Sequence, residues 1–357
     1  METPSTKISH TFKTFETSGG ARINRIPMNA FPNFWAYAYL VLVDGYNVLI
    51  DTGSGFGDSN ADLEAGFEQA SRMLGRTIRI QDLTHILITH GHIDHFGGLA
   101  FLKERTKAHV GIHELDLGSL TSYEERVALA ENRLKAYLFE SGFPQEKHQN
   151  ILELYRINKL LFHSVPVDMT YESMGMRLGP FEMLHVPGHC AGHVVIRLHD
   201  VLFSGDHVLD RISPHQWPER LTHWAGLRHY LDSLELLVDW AKGISTTLTG
   251  HNDPIVDLPA RVDEIRQLHA IRLQKVLEFL SEPHTIMDVS RELFGRVSGY
   301  DVLLAIEEAG ANVEYLYHRG LVRVVNVDSL DSDNVPVAIR YQQIDDPIVK
   351  KVTILKS

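Results

Sequence analysis

Short apolar runs, each followed closely by glycine or a polar residue, recur through the first two thirds of the chain. Such runs, bounded by turn-forming residues, are typical of buried strands. Five of them are followed within a few positions by Asp, His or Gly. They occupy residues 48–50, 85–88, 183–186, 201–203 and 246–249. The pattern predicts an α/β fold whose strand ends deliver polar side chains to loops along one sheet edge.

The loop after the second run has the densest set of metal-binding side chains. Residues 90–95 hold three imidazoles and a carboxylate. A regular strand would turn alternate side chains to opposite faces, so these groups can converge only in a tight loop. Gly91, Gly97 and Gly98 supply the backbone freedom that such a loop needs. The candidate ligands of this loop are His90, His92, Asp94 and His95.

The other strand ends supply side chains of the same kinds. In chain order they are Asp51, His189, Asp206 and His251. Neutral imidazole and carboxylate together suit zinc, and also iron or manganese. A histidine-rich surface loop is the alternative, because the chain has 21 histidines. That alternative does not explain why further ligand types follow each later strand, so the sequence predicts a metal site.

These motifs, taken in order over about residues 20 to 255, resemble those of the metallo-β-lactamase-fold hydrolases. The resemblance implies an αββα sandwich of the α/β class for residues 1–258. It implies a first metal held by His90, His92 and His189. It implies a second metal held by Asp94, His95 and His251, with Asp206 bridging both. Asp94 would also orient a metal-bound hydroxide, and Asp51 would orient a ligand imidazole from behind.

The same resemblance indicates the chemistry. Two divalent ions, zinc before iron or manganese, would let water attack a small-molecule thioester or activated ester, as in the hydroxyacyl-glutathione hydrolase branch. Asp206 stands where lactamases proper often have Cys, which disfavours β-lactam hydrolysis. A lactonase and an endoribonuclease-like phosphodiesterase are the alternatives. A non-enzymatic binding module is disfavoured, because all seven ligand positions are filled.

A helical insertion is predicted at residues 114–173, between the first and third ligand motifs. Apolar residues recur there at helical spacing over residues 123–140 and 151–162. Packing against the sheet accounts for such stripes. A cap beside the metal site accounts for them equally, and in it Leu138 and Phe139 would contact the acyl part of a substrate.

Two further segments carry candidate substrate-binding residues. The loop 209–230 follows Asp206 and is stiffened by Pro214 and Pro218, and a solvated charged loop accounts for its composition equally. Near the N-terminus, aromatic residues alternate along a predicted strand, where packing on one face of the sheet is the other interpretation. The residues predicted to contact a substrate are Trp35, Tyr37, Arg211, His215 and Trp217.

Residues 259–357 form a predicted α+β C-terminal domain. Helices are expected at 262–280, 285–294 and 301–318, followed by a strand at 321–325 and a β tail. This order resembles a winged helix, which several hydrolases of the superfamily carry. DNA binding is disfavoured, because residues 260–357 contain 12 Lys and Arg against 15 Asp and Glu. We expect a packing or homodimerisation module.

Composition agrees with an enzyme acting on a small molecule. The net charge of −12 argues against a nucleic-acid partner. No apolar run is long enough to span a membrane, and the first residues lack the layout of a secretory signal. The single cysteine, Cys190, excludes an internal disulfide, and we expect it to be a packing residue beside His189. The sequence predicts a cytoplasmic protein without a membrane partner.

Overall fold

The structure is a computed structural model that describes residues 10–159, 162–330 and 337–345. Two large sheets contain most of its strands. The first has seven strands in the order of the sequence, β1 Lys13–Glu16, β2 Arg22–Phe31, β3 Phe34–Val43, β4 Tyr46–Ile50, β5 His85–Leu87, β6 His109–Ile112 and β7 Met169–Thr170. The second has the order β12-β11-β10-β9-β8, with β8 Arg177–Leu178, β9 Phe181–His185, β10 Val194–Leu198, β11 Val201–Gly205 and β12 Thr246–Thr249.

Helices cover the outer faces of both sheets and form most of the insertion and the C-terminal region. They are α1 Ser59–Leu74, α2 Ile93–Phe96, α3 Leu99–Lys103, α4 Glu114–Thr121, α5 Tyr123–Glu140, α6 His148–Lys159, α7 Leu227–Trp240, α8 Leu258–Phe279, α9 Ile286–Phe294, α10 Asp301–His318 and α11 Val327–Leu330. Three 3-10 helices lie at Ile80–Asp82, Gln145–Lys147 and Glu172–Met174. A small antiparallel sheet pairs β13 Val322–Val324 with β14 Tyr341–Gln343.

Three apolar clusters define the layers. One fills the space between the two sheets, where the ring of Tyr39 on β3 meets the edge of Phe203 on β11 at 5.2 Å between centroids. A second joins the outer face of the first sheet to α1, α2 and α3. The third joins the outer face of the second sheet to α5, α7, α8 and α10. This αββα arrangement confirms the fold class predicted from the sequence.

The insertion packs mainly against the C-terminal helices. Its helix α5 has the predicted bounds, α6 begins at His148, and α4 was not predicted. Leu138 is fully buried in the cluster with α8 and α10, and the neighbouring Tyr137 hydroxyl donates to the Ile306 carbonyl at 3.1 Å. The Phe139 ring packs on His148. Leu138 and Phe139 are therefore packing residues, and the expectation that they contact a substrate is wrong.

The C-terminal region follows the predicted order of elements. Three helices lead into β13 and β14, and α10 has the predicted bounds. The assignment as a winged helix stays a prediction, and the tail beyond residue 345 lies outside the described residues. Within the described part of the chain, no helix combines the length and apolar character needed to span a membrane.

One buried histidine in α8 makes the stability of this region sensitive to acid. His269 is fully buried, and its Nε2 lies 2.8 Å from the Ser213 hydroxyl. Burial lowers its pKa to about 4, assisted by Arg272, although Glu308 acts in the opposite direction. The unfolded chain therefore takes up this proton first, and the free energy of unfolding should fall as the pH drops from about 6.5 to about 4.

The expected loss from His269 alone is about 3 kcal/mol over that interval. Urea unfolding of chelator-treated protein at several pH values measures it. The variant His269→Gln, which cannot titrate, should lose less stability on acidification than the parent by about this amount. Exposed His223 provides the control, because His223→Gln replaces a surface histidine and should change the free energy of unfolding by less than about 0.5 kcal/mol. Equal pH dependence in His269→Gln and the parent would contradict the prediction.

Candidate metal centre

Parallel strand pairs set the position of the candidate metal centre. β5 runs parallel to β4, and β12 runs parallel to β11. The carboxyl ends of parallel neighbours meet at the same edge of a sheet, where α/β folds bind ligands. Asp51 and the loop 89–95 therefore meet at the edge of the first sheet, and Asp206 and His251 meet at the edge of the second.

The structure brings all seven predicted ligands together in two groups. Within each group the candidate donor atoms lie within 4.8 Å of one another. The first group contains His90, His92 and His189, with Cys190 beside them. The second group contains Asp94, His95, Asp206 and His251. Every member of both groups follows a strand: Asp94 and His95 lie in the short helix α2 after β5, and the others lie in loops.

Asp206 lies between the two groups. Its Oδ2 is 3.1 Å from Nε2 of His251 and 3.8 Å from Nε2 of His189. Its Oδ1 is 3.4 Å from Nε2 of His95. One carboxylate thus faces imidazoles of both groups, which is the placement that a bridging ligand requires.

The far sides of three imidazoles are held by acceptors. Nδ1 of His95 lies 2.8 Å from the Asp51 carboxylate, Nδ1 of His189 lies 2.8 Å from the His215 carbonyl, and Nδ1 of His251 lies 2.6 Å from the Trp35 carbonyl. A carbonyl or carboxylate can only accept, so the proton sits on Nδ1 in each ring. Nε2 is then the nitrogen that faces the centre of the two groups. Despite burial, the carboxylates of Asp206 and Asp94 raise the pKa of His95 and His251, so a metal ion bound there would take the place of an Nε2 proton on these two rings.

Asp51, which contacts the outward nitrogen of His95, has an unusual backbone conformation. Its φ is +59°, a value that non-glycine residues seldom adopt. Its carboxylate accepts from the Thr89 amide at 2.8 Å and from the Thr89 hydroxyl at 2.9 Å, besides contacting His95. These contacts stabilise the strained backbone and fix Asp51 behind a ligand imidazole, where the resemblance placed it.

Unpaired buried atoms at the centre show that a cation fits there. Within the described part of the chain, His95 Nε2, His189 Nε2 and Asp206 Oδ1 are buried and have no hydrogen-bond partner. A buried polar atom without a partner is costly, and these three all face the shared centre of the two groups. Divalent cations would satisfy them, and the mixed imidazole and carboxylate set suits zinc, iron or manganese.

The electrostatics keep the carboxylates ionised. Burial alone would raise the pKa of Asp206, but the imidazoles of His251 and His95 outweigh it and hold that pKa well below its usual value. The same balance, with His95 and His251 as the neighbours, holds the pKa of Asp94 well below its usual value. Both side chains are therefore in the charged state that metal binding requires.

The Cys190 sulfur lies within 4.8 Å of the candidate donor atoms of His90, His92 and His189. Nδ1 of His92 is 3.2 Å from Nε2 of His90, and Nε2 of His92 is 3.2 Å from the Cys190 sulfur. The imidazole of His92 therefore turns Nδ1 towards the other ligands and Nε2 towards the thiol. Burial raises the pKa of Cys190, so the thiol is uncharged. We assign it a packing contact with His92 and not a place among the ligands.

Asp116, in the insertion, is a positioning residue that the sequence did not reveal. Its buried carboxylate accepts from the amide of Gly91 at 2.7 Å and from the amide of Gly192 at 2.9 Å. It thereby ties the loop that carries His90 and His92 to the loop that leads into β10. The contacts are tertiary, and no local motif marks this aspartate in the chain.

Removing the Asp116 carboxylate should weaken metal binding. Asp116→Ala leaves two loop amides without their acceptor, and loss of such an outer partner costs roughly 10- to 100-fold in metal affinity. Asp116→Asn keeps one oxygen and should lose less. Competition with a chromophoric chelator measures the zinc Kd of each variant.

Asp168 offers a matched control for Asp116. Its carboxylate accepts from the Val110 amide at 2.8 Å and from Lys103 at 2.9 Å, away from the centre. Asp168→Ala should lower the Tm and leave the zinc Kd unchanged. An unchanged Kd in Asp116→Ala would contradict the assigned role.

An open cleft of about 830 Å³ lies above the two groups. Its lining includes some of the residues predicted to contact a substrate and excludes others. Trp35, His215 and Trp217 line it, as expected. Tyr37 does not, because it is fully buried beneath the guanidinium of Arg25. Arg211 also lies outside the lining, and its guanidinium pairs with Asp253 at 3.1 Å. The expectation that Tyr37 and Arg211 contact a substrate is therefore wrong.

A second, smaller cavity lies on the other side of the first group. It has a volume of about 140 Å³, and His92, His189 and Trp217 border it as well as the open cleft. Helix α5 of the insertion contributes Val127 and other apolar side chains to its wall. The insertion thus borders the metal centre from this side, while the open cleft is walled by other segments.

Comparison with known protein families agrees with this geometry. The family model described as the metallo-beta-lactamase superfamily matches residues 36–251. A hydroxyacylglutathione hydrolase, GloC, of Haemophilus influenzae is 30% identical over 145 residues, which cover 39% of this chain and 56% of that protein. The match therefore spans little more than half the length of that relative.

Two solved structures extend the similarity to nearly the whole chain. A metallo-beta-lactamase family protein from Thermus thermophilus is 26% identical, with a TM-score of 0.68 over 90% of this chain and 98% of that one. A beta-lactamase domain protein from Burkholderia ambifaria is 20% identical, with a TM-score of 0.69 over 96% and 97% of the two chains. At that identity the second similarity concerns the fold alone.

Proposed function

Because the chain belongs to the metallo-beta-lactamase superfamily, we propose that it is a dinuclear, metal-dependent hydrolase of a small-molecule thioester or another activated ester. One observation carries the proposal. Seven metal-binding side chains converge in two groups beside an open cleft, three of their inward atoms are buried without a hydrogen-bond partner, and the outward nitrogens of three imidazoles are anchored. The partial similarity to a hydroxyacylglutathione hydrolase supports the choice of thioesters.

Each side chain has a separate proposed role at the metal centre. His90, His92 and His189 would hold one ion, Asp94, His95 and His251 would hold the other, and Asp206 would contact both. Divalent cations at such a site supply Lewis acidity and an activated water at neutral pH. Asp94 lines the cleft, so its ionised carboxylate can accept a hydrogen bond from the attacking water and fix its direction.

A thioester suits a site of this kind. A thiolate is a good leaving group and departs without a strong general acid. The site therefore needs only a positioned water and stabilisation of the developing oxyanion. Other activated esters share this property, whereas opening a lactone releases an alkoxide that has to take up a proton as the C–O bond breaks.

A hydrolysis panel on metal-analysed protein tests the proposal. The panel contains acyl-glutathione and acyl-CoA thioesters, lactones, phosphodiesters and RNA. We expect hydrolysis of a thioester or an activated ester, loss of that activity on chelation and recovery on adding zinc, iron or manganese. Cleavage of RNA or phosphodiesters by the metal-loaded protein, without hydrolysis of any ester or thioester, would replace this proposal with a nuclease.

A further inference from the structure

We propose that the open cleft above the metal centre binds an uncharged apolar chain, the acyl part of the substrate. The inference rests on the proposed hydrolase function and names its substrate class. The cleft measures about 830 Å³, a volume typical of sites for small organic ligands. Asp94, Asp206 and His251 form part of its floor, so a chain held in the cleft would end at the metal-binding side chains.

Three segments that are far apart in the sequence supply exposed apolar side chains to this one cleft. Phe34, at the tip of the β2–β3 hairpin, is 44% exposed, and Ile212, in the loop after Asp206, is 52% exposed. Val297, between α9 and α10, is 39% exposed. Large apolar side chains gathered around one opening mark a site that binds apolar groups.

The C-terminal region forms the outer wall. Phe294 lies at the end of α9, and Leu304 lies in the first turns of α10, and both line the cleft. A region that borders the cleft with apolar side chains is placed to select substrates. This placement explains the role of the C-terminal helices better than contact with DNA, for which their acidic charge is unsuitable.

The charges in the cleft disfavour an anionic chain. Among the lining residues that the structure describes, Arg272 is the one Lys or Arg, and its guanidinium pairs with Glu308. His215 also lies within 3.4 Å of Glu308 and of Glu307. Asp301 adds a further carboxylate to the wall. A negative group on the chain would meet the exposed carboxylate of Asp301 and no uncommitted Lys or Arg, so an uncharged chain fits best.

A chain-length series on the metal-loaded full chain tests the inference. The substrates are S-acyl-N-acetylcysteamines from acetyl to decanoyl, which share one small uncharged thiol. We expect KM to fall with each added methylene, by up to about fourfold per step. An analogue of the octanoyl substrate that ends in a carboxylate should have a KM at least tenfold higher than octanoyl.

A charge placed in the cleft should remove the preference. Val297→Glu should raise KM for the octanoyl substrate at least tenfold and KM for the acetyl substrate by a much smaller factor. Val325 is similarly exposed, at 36%, and does not line the cleft, so Val325→Glu is the matched control and should behave as the parent. A KM independent of chain length, or a preference for the carboxylated analogue, would overturn the inference and leave the proposed hydrolase function intact.

A binding measurement distinguishes failure of the hydrolase proposal from failure of the proposal that the cleft binds an apolar chain. Trp35 and Trp217 line the cleft, so decanamide and decanoate can be titrated while tryptophan fluorescence is recorded. Decanamide should bind at least tenfold more tightly than decanoate, and Val297→Glu should weaken it. If no ester is hydrolysed yet decanamide binds in this way, the hydrolase proposal fails and the assignment of the cleft stands. Absence of decanamide binding would overturn the assignment of the cleft.

Discussion

Replacing Asp206 by alanine should remove at least one metal ion and nearly all hydrolytic activity. The Asp206 carboxylate faces imidazoles of both groups, at 3.1 Å from His251 and 3.8 Å from His189. The seven ligands include only two carboxylates, and two divalent cations carry a charge of about +4 that those carboxylates partly neutralise. Losing Asp206 halves that anionic charge and removes the carboxylate that contacts both groups.

The size of the effect follows from the place of Asp206 among the ligands. Loss of an outer partner already costs roughly 10- to 100-fold in affinity or activity, so loss of a shared ligand should cost more than 100-fold. Elemental analysis gives the number of metal ions per chain, and an ester hydrolysis assay gives kcat/KM. Asp206→Asn keeps the shape of the side chain and removes its charge, so its loss should be of similar order.

Asp253 provides the control for Asp206. It carries a carboxylate on the loop after β12, and this carboxylate pairs with Arg211 at 3.1 Å and with Lys13 at 3.5 Å. Asp253→Ala should keep both metal ions and most of the activity. Retention of two metal ions per chain in Asp206→Ala would show that Asp206 does not bridge the two groups.

The candidate ligands could be located from the sequence because all of them follow predicted strands: four follow β5, and the other three follow β9, β11 and β12. An apolar run fixes the strand, and the parallel pairing of β4 with β5 and of β11 with β12 brings the strand ends together. The identity of the ligands is then a local property of the loops. The same argument located His189, Asp206 and His251, whose spacing along the chain has no regularity.

The contacts that depend on tertiary packing could not be predicted. Trp35 and Tyr37 lie on the same face of β3, yet Trp35 lines the cleft while Tyr37 is covered by Arg25. Helical spacing showed that one face of α5 is buried, but it did not show that Leu138 packs with the C-terminal helices. Asp116 acts through two amides on distant loops, and its role is visible only once those loops are placed.

Gly250 is another position whose constraint comes from tertiary packing. Its replacement by alanine should have a large effect on metal binding and activity. A Cβ atom at this position would lie 2.3 Å from Oδ1 of Asp206 and 2.7 Å from Cε1 of His95. The backbone cannot retreat, because the Gly250 amide donates to the Gly205 carbonyl at 2.7 Å and its carbonyl accepts from the Tyr37 amide at 2.9 Å. His95 is fully buried and cannot move aside. Asp206 must therefore shift.

Gly250→Ala should consequently lose metal at the second group and at least 100-fold in kcat/KM, on the scale of removing an outer partner or more. Overpacking of this size also costs about 1–3 kcal/mol in folding free energy, so the Tm should fall by several degrees while the chain stays folded. Gly118→Ala is the control, because its Cβ would meet only the flexible side chain of Arg126, at 3.3 Å. We expect it to keep both metal ions and full activity. If Gly250→Ala binds two metal ions and retains activity within about twofold of the parent, the loop after β12 does not approach Asp206 as closely as the structure shows, and the second group is looser than its geometry implies.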